Sequence, residues 1–208
     1  ERVSEHDVSN EAFPYMTCRE IRVGWAPVFA ARVTYVGELG WELHVPTEYM
    51  AYVYEVLREA GAAFGIADVG YKAITSLRME KRYLYWGADI TPDDTPLEAG
   101  LGFAVAMKKG DFQGRDALAA LKERGLTRKL ACFRLADPLP VYGGEAMSVN
   151  GRVVGMTTSG DFGHTVGASL VFGYLKGDDM GLKEIEVEAF GRRSRATVIE
   201  RCAYDPAG

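Results

Sequence analysis

The sequence predicts an α+β layer followed by a small C-terminal antiparallel β-barrel, and three observations carry that expectation. In the first half, short alternating stretches stand beside amphipathic segments of helical length with short links, the pattern of a sheet covered on one face. Beyond Gly125 the grammar changes to six short alternating stretches divided by glycine turns such as Gly143-Gly144 and Asn150-Gly151, which points to a small barrel or sandwich. At 208 residues the chain buries a full core either as one large domain or as two small ones. The change of grammar places the boundary near Leu126, giving an α+β part over 1–125 and a barrel over 126–208.

Asp7 to Tyr15 reads as a short turn capped by Asp7 or Ser9 and ended by Pro14. Alternation then gives a strand at Glu20 to Val23 and a longer one at Val28 to Val36, with Ala26-Pro27 as the break between them. Gly37 to Gly40 is a loop of hairpin length, followed by a strand at Trp41 to Val45. On that strand Trp41, Leu43 and Val45 face one way, Glu42 and His44 the other. Thr47 is placed to cap a helix over Tyr49 to Ala62, with Tyr52, Val53, Val56, Leu57 and Ala60 inward and Gly61 or Gly65 as its stop.

A second helix, with Val69, Ala73, Ile74, Leu77 and Leu84 as its apolar stripe, carries Arg78 and Lys81 on its flank. It ends near Tyr83, and a long polar loop follows whose prolines, acids and terminal glycine are turn chemistry. Ile90, Leu97 and Leu101 are the expected anchors of that loop. Leu101 to Met107 is a further strand candidate, and Phe112 to Gly125 a helix with Leu118 and Leu121 inward. The barrel strands are expected at Lys129–Leu135, Glu145–Val149, Arg152–Thr158, Leu170–Leu175, Ile185–Ala189 and Arg195–Ile199.

Twenty-four basic residues against 29 acids leave a net charge of −5, so there is no electrostatic footprint for nucleic acid. No apolar run approaches a membrane span and no signal segment opens the chain, so a cytoplasmic protein without membrane partners is expected. Cys18, Cys132 and Cys202 are widely spaced, as are His6, His44 and His164, which argues for buried free thiols and against a disulfide framework or a metal centre. The acids Asp89, Asp93, Asp94 and Glu98 lack the spacing of a calcium loop and read as solvated loop acids and turn caps. The opening without methionine reads as entry into the middle of a longer chain.

Several motifs in one order give a more specific reading. YVGELGWEL (Tyr35–Leu43), SLRMEKRYLYWGADITPDDTPLEAGL (Ser76–Leu101), FQGRDAL (Phe112–Leu118), NGRVVGMTTSGDFG (Asn150–Gly163) and the closing DPAG together resemble the aminomethyltransferase family. That family includes the glycine cleavage T-protein and the C-terminal folate-binding halves of sarcosine and dimethylglycine dehydrogenases. The DVSNEAFPY opening and the RYLYWGADITPDDTPLEAGL wording resemble the dehydrogenase branch most.

The resemblance implies ferredoxin-like α+β domains and a terminal barrel around a site for tetrahydrofolate. It also implies a parent enzyme that oxidises an N-methyl amine at FAD and passes the one-carbon unit to the folate. No dinucleotide fingerprint occurs here, so FAD would belong to an upstream domain of the same parent chain or to a separate subunit. The family's essential aspartate has no match in these residues, so no catalytic residue is assigned and the chain alone is expected to be inactive. A stand-alone aminomethyltransferase and a non-catalytic folate-binding regulatory module are the alternatives.

Glu42 matches the family's pterin-contacting glutamate; a carboxylate accepts the two-donor edge of a pterin in bidentate fashion. On alternation alone it would be an ordinary solvated strand acid. Arg78 matches the arginine of the family's L-R-x-E helix, expected near the folate, or else joins a surface charge network. Tyr35 is either a core tyrosine or a wall of the ligand slot, and Trp86 is retained from the Tyr83, Tyr85, Trp86 cluster as a ring-stacking candidate. Gly160, Asp161 and His164 are placed in a barrel loop near the cofactor.

Overall fold

A computed structural model of the chain describes residues 2–204; the closing Asp205-Pro206-Ala207-Gly208 motif lies outside them. The elements are strands β1 (Cys18–Val23), β2 (Ala26–Ala31) and β3 (Glu42–His44), then helices α1 (Met50–Gly61), α2 (Tyr71–Glu80) and α3 (Arg115–Arg124). Strands β4 (Arg128–Leu135), β5 (Ala146–Val149), β6 (Arg152–Gly163), β7 (Ala168–Lys176), β8 (Glu184–Ala189) and β9 (Arg192–Ile199) follow. Two compact units, residues 1–74 and 75–208, divide inside α2, so residues 75–125 fall in the same unit as the barrel strands.

The first unit is a three-stranded antiparallel sheet in the order β1-β2-β3. Its inner face places Ile21, Val23, Ala26, Val28 and Ala30 in one core with Phe13 and with Val53 of α1. Burying each such aliphatic side chain is worth about 1.5–3 kcal/mol, which is what lays α1 on the sheet. Trp41, Leu43 and Val45 pack on the same core, so the alternation along β3 holds.

Three local expectations change here. The break between β1 and β2 is Gly24-Trp25, with Gly24 at φ +58°. Pro27 is instead paired opposite Arg22, at a position that β3 does not reach and where a missing N–H is tolerated. β2 ends at Ala31, not Val36, because the chain folds into a loop that Gly40 closes: a Cβ on Gly40 would lie 2.8 Å from the Val33 carbonyl oxygen. Thr47 caps nothing; a 3-10 turn over Thr47–Tyr49 leads into α1 without a side-chain cap.

In the second unit, β4-β7-β6-β5-β8-β9 close into an antiparallel barrel. Its interior is filled by Phe133, Leu135, Met147, Val171, Leu175, Val187 and their neighbours. Asn150 and Gly151, at φ +50° and +77°, make the tight β5–β6 turn that their sequence demands. β7 departs from simple alternation: Ala168 to Leu175 are all buried. Leu170, Phe172 and Tyr174 point away from the interior into a second cluster with Met79 of α2, so both faces of the strand are covered.

The buried side of α2 is not the apolar stripe. Val69 precedes the helix and is 62% exposed, whereas Ser76, Arg78, Met79 and Glu80 in the last turns are buried. Met79 meets the apolar cluster of β7, whereas Ser76 and Glu80 meet polar backbone. Ser76 donates to the Phe162 carbonyl oxygen at 2.6 Å, and Glu80 accepts from the Thr165 and Val166 N–H groups at 2.7 and 3.0 Å. Leu101 to Met107 forms no strand; a 3-10 turn over Gly102–Ala104 follows Gly100, which sits at φ +76°. No helix among the described residues is long and apolar enough to cross a membrane.

Candidate functional site

Arg78, in the last turn of α2, is 3% exposed, and its Nη1 lies 2.6 Å from Oδ2 of Asp89, which is fully buried. The remaining groups close around this pair. Arg78 Nη2 donates to Ser159 Oγ at 2.8 Å and Nη1 to the Tyr83 carbonyl oxygen at 3.1 Å. Asp89 accepts from the Tyr85 N–H at 2.8 Å and from the Thr158 hydroxyl at 2.6 Å, while Tyr174 donates to its backbone carbonyl at 3.1 Å. Asp89 therefore ties α2 and the loop after it to β6 through its carboxylate and to β7 through its carbonyl oxygen.

The loop beyond Asp89 is ordered by two successive Thr-Pro-x-acid turns. Asp94 accepts from the N–H and hydroxyl of Thr91, and Glu98 from those of Thr95, whose hydroxyl accepts in turn from the Glu98 N–H as in a capping box. Arg128, at the start of β4, reaches Asp94 at 2.9 Å and Glu98 at 3.3 Å, and Leu130 N–H donates to the Glu98 carbonyl. Burial raises the Glu98 pKa, but the Thr95 hydrogen bonds and the Arg128 cation outweigh it, and the carboxyl is held below its ordinary value. Asp94 and Glu98 are turn caps, as expected. Asp89 and Glu98 are buried rather than solvated, and they anchor the loop where Ile90, Leu97 and Leu101, all only half-buried, were expected to.

Glu42 belongs to the first unit and lies on the outer face of its sheet. Register places Ala31 between Cys18 and Glu42, and Phe29 between Glu20 and His44, in two adjacent rows on that face. Glu42 is exposed, and its carboxylate takes part in no hydrogen bond or ion pair among the described residues. Phe29 is 44% exposed, with its ring centroid 5.9 Å from that of His44. Tyr35 is half-buried in the loop that follows β2.

Trp86 is 65% exposed at the turn that Ile90 closes, a position set by Asp89 folding back to Tyr85. Gly160 and Asp161 lie within β6 rather than in a loop, and His164 just beyond it packs on Phe162 at 5.1 Å. The thiols divide: Cys18 is exposed, Cys202 half-buried and Cys132 buried, with burial pushing the Cys132 pKa up to about 12. A cleft of about 640 Å³ between residues 97–108 and α3 is walled by Leu97, Val105, Met107, Leu118 and Leu121, and no expected ligand residue lines it.

The reading from sequence did not reach the Arg78–Asp89 pair, since the two residues stand eleven positions apart, one in a helix and one in a loop, and the groups around them come from barrel strands far along the chain. Alternation had already put His44 on the face of Glu42, but Phe29 was missed as their companion, because its place beside them depends on the β2–β3 register.

A helix-backed sheet that presents a free carboxylate on its open face, followed in the chain by a closed six-stranded barrel, defines a two-part α+β and β-barrel class of protein. The GCVT N-terminal domain model matches residues 1–109, and the glycine cleavage T-protein C-terminal barrel domain model matches residues 128–205. The chain belongs to the glycine cleavage T-protein, or aminomethyltransferase, family. It is 40% identical to mitochondrial sarcosine dehydrogenase of Mus musculus over 98% of this chain and 23% of that protein. It is 36% identical to mitochondrial dimethylglycine dehydrogenase of Rattus norvegicus over 96% of this chain and 24% of that protein. The crystal structure of glycine cleavage system aminomethyltransferase T from Bartonella henselae superposes with a TM-score of 0.82 at 27% identity, covering 95% of this chain and 54% of that one. The chain thus spans about a quarter of the length of the two dehydrogenases. Both are mitochondrial by name, which lends no support to a cytoplasmic placement.

Proposed function

We propose that this chain is the folate-binding, one-carbon-transfer part of an amine-demethylating flavoenzyme similar to sarcosine and dimethylglycine dehydrogenases. Residues 1–125 would form the folate-binding part and 126–208 its barrel. The observation that carries the reading is the unpartnered carboxylate of Glu42 on an open sheet face, in a chain whose family match runs through both parts. Its acceptors are free for the two-donor edge of a reduced pterin, and Ala31 beside it leaves room for a flat ring. These residues fit tetrahydrofolate.

Tetrahydrofolate, when bound, would supply the nucleophilic nitrogens that capture the one-carbon unit as 5,10-methylene-tetrahydrofolate. Glu42 would fix the rotation of the ring within its plane, and charge-assisted bonds make that orientation stiffer than neutral ones would. Holding the acceptor in place would favour capture over hydrolysis of the iminium derived from the N-methyl amine. Tyr35 is proposed as a further wall of the site, and Trp86, in the second unit, as a separate ring-stacking candidate. Arg78 would act through the position it gives α2, because its guanidinium is already engaged by Asp89 and Ser159. FAD would sit in another domain of the parent chain or in a separate subunit.

The test is calorimetry of the full-length protein with tetrahydrofolate, comparing wild type with Glu42→Gln. The amide places a donor against a donor, and about a ten- to hundredfold loss of affinity is expected. Equal affinities would remove Glu42 from this role and leave the reading without its support.

A further inference from the structure

Within the site just proposed, we infer that Phe29 is the platform on which the flat ring lies, that His44 positions Phe29, and that Ala31 sets the thickness of what is admitted. The inference rests on the folate reading and adds to it the residues that hold the face of the ring, as Glu42 holds its edge. Four observations lead to it. Phe29 and His44 are cross-strand partners, and Ala31 and Glu42 are the next partners on the same face. Diagonal neighbours across an antiparallel pair stand about 7–8 Å apart, so a ring laid on Phe29 brings its edge to Glu42.

Phe29 is a large aromatic at 44% exposure on a face whose opposite side already holds the core, so burial in the sheet does not explain it. An exposed ring of this size costs solvation that a flat ligand would remove. His44 stands 5.9 Å from Phe29 at an interplanar angle of 55°, a tilted ring contact that restrains the phenyl group. In the cross-strand row between Glu42 and Cys18 stands Ala31, whose side chain is a methyl group. A larger residue there would stand in the space above the sheet where the ring must lie.

The chemistry selects a planar heteroaromatic with two adjacent donors on one edge. Phe29 supplies stacking and no hydrogen bonds, so it reads flatness; Glu42 supplies acceptors, so it reads the donor pair. Ligand specificity is thereby divided between two strands.

The experiment uses the full-length protein and two probes, tetrahydrofolate and a tetrahydropterin that lacks the benzoylglutamate tail, with affinities read by calorimetry and folding by thermal melting. Phe29→Ala is expected to weaken both probes about tenfold, in line with the loss of one stacking partner, with the melting temperature unchanged. Phe29→Trp should keep the affinity and add tryptophan fluorescence that tetrahydrofolate quenches, a signal that a purely structural role would not produce. Ala31→Leu should abolish binding of both probes while the protein still melts cooperatively. If wild type binds tetrahydrofolate and Phe29→Ala and Ala31→Leu bind it equally well, the platform is overturned while the folate reading stands. If wild type binds neither probe, the folate reading fails and the platform falls with it.

Discussion

The guanidinium of Arg78 and the carboxylate of Asp89 form an ion pair at 2.6 Å with 3% and 0% of their side chains exposed. Around it Ser159, Thr158, the Tyr85 N–H and the Tyr83 carbonyl satisfy most of the polar groups, while Arg78 Nε is buried without a partner. The rings of Phe172 and Tyr85 flank the cation at 5.4 and 5.8 Å. A charge held in this way serves the architecture, since breaking the pair strands its partner in a low-dielectric interior.

Removing either member is expected to be severe. Asp89→Asn or Arg78→Met should lower unfolding stability by about 3–5 kcal/mol, because the residual charge or donor set loses its compensation. Ser159→Ala, which removes one hydrogen bond to a charged group, should cost about 1.5–3 kcal/mol. Denaturant unfolding of the three variants checks the order; a loss of less than about 1 kcal/mol for Asp89→Asn would show the pair to be dispensable.

Acid sensitivity should trace to the loop clamp. Glu98 has its folded pKa below the ordinary value, so it contributes stability that is fully present above its unfolded value of about 4.3 and is lost as pH falls through the lower folded value. Glu145, whose burial is outweighed by hydrogen bonds from Thr157, Tyr142 and Gly143, acts in the same direction and over the same window. Glu98→Gln should therefore reduce stability at neutral pH and flatten the fall below about pH 5. Urea midpoints measured at several pH values for wild type and variant would show it.

The three thiols should react in order of access. Cys18 on the outer sheet face should be modified by a maleimide in the native protein, whereas Cys132, buried and with its pKa pushed up to about 12, should resist until unfolding. Mass spectrometry after timed labelling reads this directly, and native labelling of Cys132 ahead of Cys18 would contradict the packing of β4.

The barrel was legible in the chain because each of its strands is bounded by turn residues with a local geometric meaning. Asn150-Gly151 takes the positive φ angles that its sequence demands and joins β5 to β6, although a bulge at Met147-Ser148 interrupts the alternation of β5. In β3 strict alternation placed Glu42 on the face opposite the core. β7 and α2 were read less well. Their buried sides depend on each other: Met79 covers Phe172 and Leu170, and Glu80 and Ser76 serve backbone groups near the β6–β7 turn, so neither pattern can be resolved from its own residues.

Local periodicity and turn chemistry were sufficient for most element types, for the α+β-then-barrel order and for the outward side of β3, and the family followed from the resemblance of several motifs in one order. Folding in three dimensions was needed to pair Arg78 with Asp89, to turn two loop acids into anchors and to line up Phe29, Ala31, His44 and Glu42 on one surface. Periodicity is a property of a few consecutive residues, set by backbone geometry. Burial of charge and cross-strand register belong to surfaces that exist only once distant segments have met.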